Sequence, residues 1–353
     1  MNNLRRMLLA GGVALFSPKF AFSQHLVPIA DAHNHFGLLK NNRSSLPELK
    51  SLMSKSGVSL LSWTVVPDVP FLSFSGSKVA QSRVPEKGEL NQSFARQLKR
   101  AVDAINANGL NLIRNQADLT ESLKGVPSIV LTSEGADFLE GSLENLKPAV
   151  AAGIRHVQLV HYIRNDVGDI QTETEVHGGL TSFGKSLISA LNQYGVLIDL
   201  AHGTQDVVLQ ALEISKAPMI WSHSYLSQSH GVGSQQGYQS RGIGVDMAKR
   251  IAASGGAVGL WALGPSFGGG IGGYADEIKK MVDILGPEHV MFGTDIDGLP
   301  TGSAIDDFED LRKVVERLQK QGMSDKTIQA VAYGNYARCL SKAMGLKRPE
   351  YSE

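Results

Sequence analysis

The chain has 353 residues, of which 42% are hydrophobic and 19% are charged, so it can bury a large core in one large domain or two small ones. Its 34 basic and 34 acidic residues cancel, which gives no support to a nucleic-acid partner or another polyanion. The single cysteine, Cys339, excludes an internal disulfide framework and a cysteine-rich metal site. We interpret Cys339 as a small apolar residue of a C-terminal helix.

Residues 1–23 form a segment of a different kind, which we interpret as an export signal. A basic head with Arg5 and Arg6 precedes an apolar stretch, and small residues at 21–23 suit a cleavage site. The arginine pair favours the twin-arginine route, with the general secretory route as the alternative. The mature chain, 24–353, is predicted to be a single periplasmic or secreted domain without a transmembrane segment.

Apolar runs alternate with amphipathic segments along the mature chain. The predicted strands are 26–30, 58–66, 126–131, 154–160, 196–200, 219–221, 257–263 and 289–293. The predicted helices are 47–55, 85–107, 142–152, 180–194, 204–216, 245–253, 274–285 and those within 306–345. The predicted loops above the sheet are 67–85, 165–179 and 227–240. This alternation predicts a (β/α)8 TIM barrel with its active site at the C-terminal ends of the strands. An open doubly wound sheet is the alternative, but no GxGxxG-type turn comes after the first strand.

Residues 196–224 show most clearly that histidines stand at the ends of the predicted strands. Here a strand, a helix and a second strand succeed one another, and His202 and His223 come just after the two apolar runs. Because a βαβ unit makes its strands parallel, both histidines are expected at the same edge of the sheet. A single histidine after a strand is more often structural, so the prediction of a metal site depends on the other strands.

Other strands end in residues of the same kind. His33 and His35 are two residues apart on an extended segment, so their side chains point the same way and can bind one ion. Glu134 comes after the third strand, His161 after the fourth and Asp295 after the eighth. The strand ends are therefore predicted to converge on one site.

Imidazole and carboxylate ligands without thiolates suit zinc, with manganese, iron or cobalt as substitutes. One tetrahedral ion needs fewer ligands than the chain supplies, whereas two ions that share Glu134 would use all of them. One ion with spare histidines is the alternative. Two ions roughly 3.5–4 Å apart would hold a hydroxide between them. Asp295 would accept the proton of that hydroxide and pass it to the leaving group.

Seven segments of the mature chain form a set that extends over nearly its whole length. They are DAHNHF, LTSEGAD, VQLVH, GLTSFGKSLISALNQYGVLIDLAH, APMIWSHS, FGTDIDG and YGNYARCL. Together they resemble the membrane (renal) dipeptidase family, the M19 metallopeptidases, and the most specific parts are residues 179–224 and FGTDIDG. The resemblance implies a (β/α)8 barrel with a binuclear zinc centre that hydrolyses dipeptides.

The resemblance also implies which residues bind the metals. It assigns His33 and His35 to the first zinc ion, His202 and His223 to the second, and Glu134 to the bridge between them. The family has an aspartate where this chain has His35, so one anionic ligand becomes neutral. Histidine pairs of this spacing occur on the first strand of other barrel amidohydrolases, so two metals remain compatible with the sequence.

Three further residues acquire roles from the same resemblance. His161 would stabilise the oxyanion that forms from the substrate carbonyl, and Arg241 would bind the terminal carboxylate of the peptide. Asp295 would be the acid/base residue. After the seventh strand, Leu260 and Trp261 stand where the family tends to have asparagine and an aromatic residue, so a different substrate pocket is expected.

The leading prediction is an exported zinc dipeptidase that acts on a small-molecule substrate, and a homodimer stays open as its assembly. His35 and the altered seventh strand motivate the alternative of a metal-dependent hydrolase of a non-peptide amide, lactone or imine. A third, non-enzymatic alternative is a metal-poor relative that acts as a binding or maturation factor.

Overall fold

The computed structural model describes residues 26–39, 48–76, 78–228, 240–263, 269–299 and 302–347. Its main sheet contains nine parallel strands. The two-residue strand Asn111–Leu112 pairs with the start of the third barrel strand, and the other eight are each paired with the next in chain order. They are β1 (Ile29–Asn34), β2 (Val58–Val65), β3 (Ser128–Ser133), β4 (Ile154–Gln158), β5 (Leu197–Asp199), β6 (Ile220–Ser224), β7 (Ala257–Leu260) and β8 (Val290–Phe292). The predicted (β/α)8 barrel is confirmed.

Helices surround the barrel. They are α1 (Leu49–Ser56), α2 (Glu89–Asn108), α3 (Gln116–Leu123), α4 (Leu146–Ala152), α5 (Ser182–Tyr194), α6 (Gln205–Ile214), α7 (Val245–Ala253), α8 (Gly270–Leu285), α9 (Phe308–Lys320), α10 (Asp325–Gln329) and α11 (Asn335–Met344). A single π-helical turn, Ala330–Gly334, joins the last two. No helix within the described ranges is long and apolar enough to cross a bilayer.

The barrel closes along a seam between β1 and the segment directly after β8. The backbone N–H of Asp295 donates to the carbonyl of His33 at 2.9 Å. The buried carboxylate of Asp31 accepts hydrogen bonds from the backbone N–H and the hydroxyl of Thr294 at 2.9 and 2.5 Å. It also accepts one from the side chain of Asn34 at 2.8 Å. Side chains of the first and last strands are therefore held next to each other.

Apolar side chains form two layers, one inside the barrel and one between the strands and the outer helices. The inner layer includes Ala30, Leu60, Val130, Leu197, Ile220, Ala257 and Met291. Tyr336, Cys339 and Leu340 of α11 join this layer, so the C-terminal helix covers the end of the barrel where the strands begin. Cys339 is fully buried in α11, as predicted. The opposite end, where the strands finish, is the end left for a site.

The structure differs from the prediction in two segments. Residues 67–85, predicted as a loop, contain a 3₁₀ turn and an antiparallel hairpin of Leu72–Ser75 with Lys78–Gln81. Its strands are four residues long and largely exposed, so they give little apolar pattern. Helix α3 was not predicted, although its cap is a reciprocal Asn115 and Asp118 pair that the sequence contains.

Two predicted segments lie outside the described residues. They are the export signal at 1–23 and most of the loop at 227–240.

Candidate metal centre

Two histidines at the end of β1 form one half of the site. The Nε2 atoms of His33 and His35 are 3.0 Å apart, and both side chains are buried. Nδ1 of His35 lies 2.8 Å from the carbonyl oxygen of Thr64 on β2. Because a carbonyl only accepts, this Nδ1 carries a proton, and Nε2 is the nitrogen that faces the site. His35 therefore presents the atom that a metal ion would bind. Burial lowers the pKa of His35, but the carboxylates of Asp295 and Glu134 beside Nε2 outweigh burial and raise it to about 10, so an ion that binds there must displace a proton.

The other half of the site comes from β5 and β6. The Nε2 atoms of His202 and His223 are 3.3 Å apart. His202 has a left-handed backbone with φ of 69°, which is uncommon outside glycine and concentrates at functional sites. Burial holds the pKa of both imidazoles well below its usual value. They are therefore neutral, as metal ligands must be.

Glu134, directly after β3, lies between the two halves. Its Oε2 is 3.4 Å from Nε2 of His33 and 3.2 Å from Nε2 of His35. Its Oε1 is 3.0 Å from Nε2 of His202 and 3.6 Å from Nε2 of His223. Burial raises the pKa of this carboxyl, but the surrounding imidazoles outweigh burial and hold the pKa well below its usual value. Each oxygen of an anionic carboxylate thus faces one histidine pair.

These residues fit two divalent ions that share a carboxylate. The residues form two groups, each with three ligand atoms. Within each group the three atoms lie within 4.8 Å of one another, and all of the residues are buried. We call them the first position (His33, His35, Glu134) and the second position (Glu134, His202, His223). Imidazole nitrogens and a carboxylate without thiolates are a donor set that zinc accepts. All five ligands predicted from the sequence lie together.

His161, after β4, lies beside the bridging carboxylate, with its Nε2 3.3 Å from Oε1 of Glu134. Its Nδ1 is 2.7 Å from Asp68, whose other oxygen accepts the backbone N–H of Tyr162 at 3.2 Å. Burial lowers the pKa of His161, but Asp68 and Glu134 raise it more, so the net shift is upward. Asp68 was missed, although it stands three residues beyond β2 and so fits the same strand-end pattern.

Arg241 is a buried cation above the second position. Its guanidinium lies over the rings of Tyr162 and Trp261, at 5.6 and 5.2 Å from their centroids. One Nη donates to the hydroxyl of Tyr162 at 3.1 Å, and the other is 3.3 Å from Nε2 of His223. In the described part of the chain, its Nε has no hydrogen-bond partner. A buried guanidinium with a free donor suits an anionic ligand.

Asp295, after β8, lies beside the first position. Its Oδ1 is 3.1 Å from Nε2 of His35 and 3.9 Å from Nε2 of His33. Its Oδ2 accepts a hydrogen bond from the indole N–H of Trp261 at 2.9 Å. Asp295, like His161 and Arg241, therefore lies beside the five candidate ligands. Trp261, noted in the sequence only as a departure from the family, contacts three of the predicted residues, Arg241, His223 and Asp295.

Ser222, which was not predicted, contacts one histidine of each position. Its hydroxyl oxygen is 2.8 Å from Nδ1 of His223 and 3.4 Å from Nδ1 of His33. Asp199 in turn accepts the backbone N–H of Ser222 at 2.9 Å. Groups that bind the outer nitrogen of a metal-binding imidazole fix its orientation. The sequence signal for both residues was a polar side chain within a buried strand, Ser222 in IWSHS and Asp199 in LID.

A cavity of about 60 Å³ opens over these residues. Its polar lining includes four of the five candidate ligands, which are His35, Glu134, His202 and His223, together with His161, Arg241 and Asp295. Its wall is apolar and consists of Leu39, Val66, Val69, Leu72, Phe74 and Val79. The hairpin that the sequence did not predict thus supplies part of the cavity wall.

A parallel barrel whose strand ends gather buried imidazoles around one carboxylate belongs to the class of barrel metallohydrolases. The narrower assignment comes from the sequence. The model of the membrane dipeptidase family, peptidase family M19, matches residues 28–352, and the chain belongs to that family.

Individual relatives agree with this assignment. Dipeptidase aclJ of Aspergillus oryzae (strain ATCC 42149 / RIB 40) is 26% identical over 224 residues, which are 60% of this chain and 51% of that protein. The chain spans about half the length of the curated relatives that it matches.

Two solved structures share the fold. Dipeptidase AC, described as a metallopeptidase of family M19, superposes with a TM-score of 0.77 at 18% identity, over 91% of this chain and 100% of its own. A metallopeptidase from Rhodobacter sphaeroides, solved with a phosphinate mimic of the dipeptide L-Ala-D-Ala, superposes with a TM-score of 0.75 at 17% identity. The second match covers 90% of this chain and 100% of the other.

Proposed function

We propose that this protein is a dipeptidase that binds two zinc ions and hydrolyses the amide bond of dipeptides. The observation that carries the proposal is the position of Glu134, whose two oxygens each face a separate pair of imidazole nitrogens at 3.0 to 3.6 Å. Membership of a family whose curated members are named dipeptidases supports the same activity.

Bound zinc lowers the pKa of a coordinated water and polarises the carbonyl that is attacked. Around that chemistry, Asp295 would hold the water's proton at Oδ1, which faces the first position, and release it to the leaving amine. His161 would donate from Nε2 to the carbonyl oxygen as negative charge develops on it, because Asp68 already engages Nδ1.

Arg241 would bind the C-terminal carboxylate of the dipeptide. The free Nε donor and the fork-like guanidinium suit that group, and the flanking rings keep the guanidinium in one plane. The apolar wall of the same cavity would receive an apolar side chain of the substrate. Phe74 and Leu72 of the hairpin are partly exposed there, so a substrate side chain would cover them.

The test is a dipeptide panel with L,L and L,D members, offered to purified protein with measured zinc. We expect free amino acids to be released, and release to stop after chelation and in Glu134→Gln. Protein that holds two equivalents of zinc and leaves the whole panel intact would contradict the proposal. Hydrolysis of N-acyl amides or lactones instead of dipeptides would favour the alternative hydrolase.

We also propose that the chain is exported. The basic head with Arg5 and Arg6, the apolar stretch after it and the small residues at 21–23 support this. In a Gram-negative host, the mature protein is expected in the periplasmic fraction. Replacing both arginines with lysine would abolish export by the twin-arginine route and leave secretory export intact.

A further inference from the structure

A pair of buried polar side chains lies inside the barrel, next to the candidate metal centre. Asp199 belongs to β5 and His156 to β4, and neither side chain is exposed to solvent. Oδ2 of Asp199 is 3.4 Å from Nε2 of His156. Within the described ranges, neither of these two atoms has a hydrogen-bond partner of standard geometry. Because an unsatisfied polar atom in a core is costly, a pair of them that face each other requires an explanation.

The charge states of the pair fix the direction of any hydrogen bond between them. Burial raises the pKa of Asp199, but its hydrogen bonds with His156 and Ser222 outweigh burial, so the net pKa lies below its usual value. Burial lowers the pKa of His156 more than Asp199 raises it, so the ring is neutral. An ionised carboxylate only accepts, so the single ring proton of His156 lies on Nε2. Its Nδ1 then accepts from the hydroxyls of Ser62 and Tyr336, each 3.2 Å away.

Ser222 connects this pair to two of the candidate ligands. Its backbone N–H donates to Oδ1 of Asp199 at 2.9 Å. Its hydroxyl oxygen lies 2.8 Å from Nδ1 of His223 and 3.4 Å from Nδ1 of His33. An imidazole that binds an ion through Nε2 carries its proton on Nδ1, so both rings would donate to this oxygen. The hydroxyl proton then needs another acceptor, and the ionised carboxylate of Asp199 can accept it.

We infer that Asp199 and His156 are positioning residues that fix, through Ser222, the tautomer of His223 and His33 in which Nε2 is free for a metal ion. His156 donates to Asp199, Asp199 accepts from Ser222, and Ser222 accepts from both imidazoles. Reversing one of these bonds would place a proton on an Nε2 that faces an ion. The inference rests on the metal positions of the proposed function, but it also applies to the metal-free protein.

The first test observes the ring protons in metal-free protein whose histidines carry ¹⁵N. Two-bond correlation spectra distinguish a proton on Nδ1 from one on Nε2, and the signal of His223 is assigned by its loss in His223→Gln. We expect the wild-type ring of His223 to carry its proton on Nδ1. A wild-type ring with its proton on Nε2 would overturn the inference.

Asp199→Asn is the variant that reverses one bond without changing the shape. The backbone N–H groups of Ala201 and Ser222, at 3.0 and 2.9 Å from Oδ1, keep the amide oxygen in that place. The amide nitrogen therefore takes the place of Oδ2 and donates where the carboxylate accepted. We expect the ring of His223 to shift toward the form with its proton on Nε2. A tautomer that stays as in the wild type would overturn the inference.

Zinc affinity, measured by competition with a chromophoric chelator, is the second test. Asp199→Asn should weaken binding about 10-fold at both positions, and more at the second, because Ser222 lies closer to His223 than to His33. Asp169→Asn is the matched control, since this buried carboxylate accepts the N–H of Val176 at 2.7 Å, and it should bind zinc as the wild type does. Wild-type affinity in Asp199→Asn would overturn the inference.

Variants of His156 leave Asp199 in place and keep the inference testable if Asp199→Asn does not fold. His156→Phe removes the donor and should weaken zinc binding about threefold, whereas His156→Gln keeps an N–H near the place of Nε2 and should retain wild-type affinity. Tyr336→Phe leaves the hydroxyl of Ser62 beside Nδ1 and should also retain it. Equal zinc affinity in His156→Phe and His156→Gln would overturn the role of His156.

The outcomes separate this inference from the proposed function. Wild-type protein that binds two ions, carries the expected tautomer and cleaves no dipeptide contradicts the proposed function alone. Active protein whose Asp199→Asn variant keeps the wild-type tautomer and zinc affinity contradicts the inference alone.

Discussion

The two metal positions share Glu134 and differ in the charge beside them. Next to the first position lies the carboxylate of Asp295, whereas next to the second lies the guanidinium of Arg241, 3.3 Å from Nε2 of His223. A neighbouring anion stabilises a bound cation and a neighbouring cation destabilises it. We therefore expect the first position to bind its ion more tightly. The second position would gain most when the carboxylate of a substrate pairs with Arg241.

The largest expected effect comes from the residue that both positions share. Glu134→Gln removes the only charge that the two ligand groups have in common, so both ions should be lost together. Turnover should fall by roughly a thousandfold or more, because the activated water is lost with the ions. Elemental analysis and dipeptide turnover measure the two effects. Loss of one ion alone would show that Glu134 belongs to a single position.

A control for this substitution is available on the same chain. Glu140 also uses its carboxylate, but it accepts the backbone N–H groups of Gly88 and Leu90 at 2.9 and 3.1 Å, away from the ligands. Glu140→Gln should therefore keep both ions.

The charge beside the second position can be removed directly. Arg241→Gln should raise KM for dipeptides about 100-fold, since a buried charge partner of the carboxylate is lost, and should strengthen zinc binding at the second position. Arg241→Lys keeps the positive charge but lacks the forked pair of donors, so its KM for dipeptides should lie between those of the wild type and Arg241→Gln. Kinetics on a dipeptide and on its C-terminal amide make the comparison. An equal rise in KM for both substrates would contradict the role of Arg241.

A smaller effect is expected from the hydroxyl that joins the two positions. Ser222→Ala should weaken zinc binding about 10-fold, and more at the second position, because the hydroxyl is closer to His223 than to His33, at 2.8 against 3.4 Å. Chelator competition resolves the two affinities. A larger loss at the first position would be the opposite of this expectation. Ser62→Ala, which removes a barrel hydroxyl that bonds to Thr132, is the control.

Substitution of Asp169 is expected to have no effect on metal binding at either position. This carboxylate accepts the backbone N–H groups of Val176, His177 and Gly179 at 2.7 to 3.1 Å. Burial raises its pKa, but these hydrogen bonds outweigh burial, and the net pKa lies below its ordinary value of 3.8. Asp169→Asn should lower the free energy of unfolding by about 1–3 kcal/mol at neutral pH.

The lowered pKa of Asp169 sets the sign of this pH dependence. The stabilisation is present above the ordinary pKa of 3.8 and is lost as the pH falls through the lower value of the folded state. The difference between wild type and Asp169→Asn should therefore narrow in acid. Denaturation of metal-free protein at pH 7 and at pH 3 measures it. If Asp169→Asn has the same free energy of unfolding as the wild type but binds zinc more weakly, the loop that contains Asp169 would instead support the metal centre.

The candidate ligands could be predicted from sequence because the residues that follow successive strands of a parallel barrel all lie at the same end of the barrel. Each of His202 and His223 stands just after a short apolar run, and parallel strands bring such residues to one rim. Boundaries were less accurate, since β5 spans Leu197–Asp199 where 196–200 was predicted. The order and type of the eight strands were nevertheless sufficient to place the site.

The residues that support the ligands could not be found in the same way. Asp199 bonds to the backbone of Ser222 on another strand, and the hydroxyl of Ser222 approaches His33 on β1. A single strand read by itself gives no sign of such contacts. Asp68 was missed because it lies in the segment 67–85 that was predicted as a loop, although the end of β2 before it was predicted to within one residue. Trp261 was visible only as an aromatic residue, and its bond to Asp295 depends on how the seventh and eighth strand ends face each other.

The seam between β1 and the segment after β8 has a consequence for how the protein is made. Asp31 and Thr294, which join there, are 263 positions apart in the chain. The histidines of β1 leave the ribosome early, yet the neighbours that complete their surroundings are synthesised almost last. Contacts over such separations form slowly, since a long loop must close first. We therefore expect any capture of an ion at β1 to be a late event in maturation, and a chain shortened before its eighth strand to fail to bind metal there.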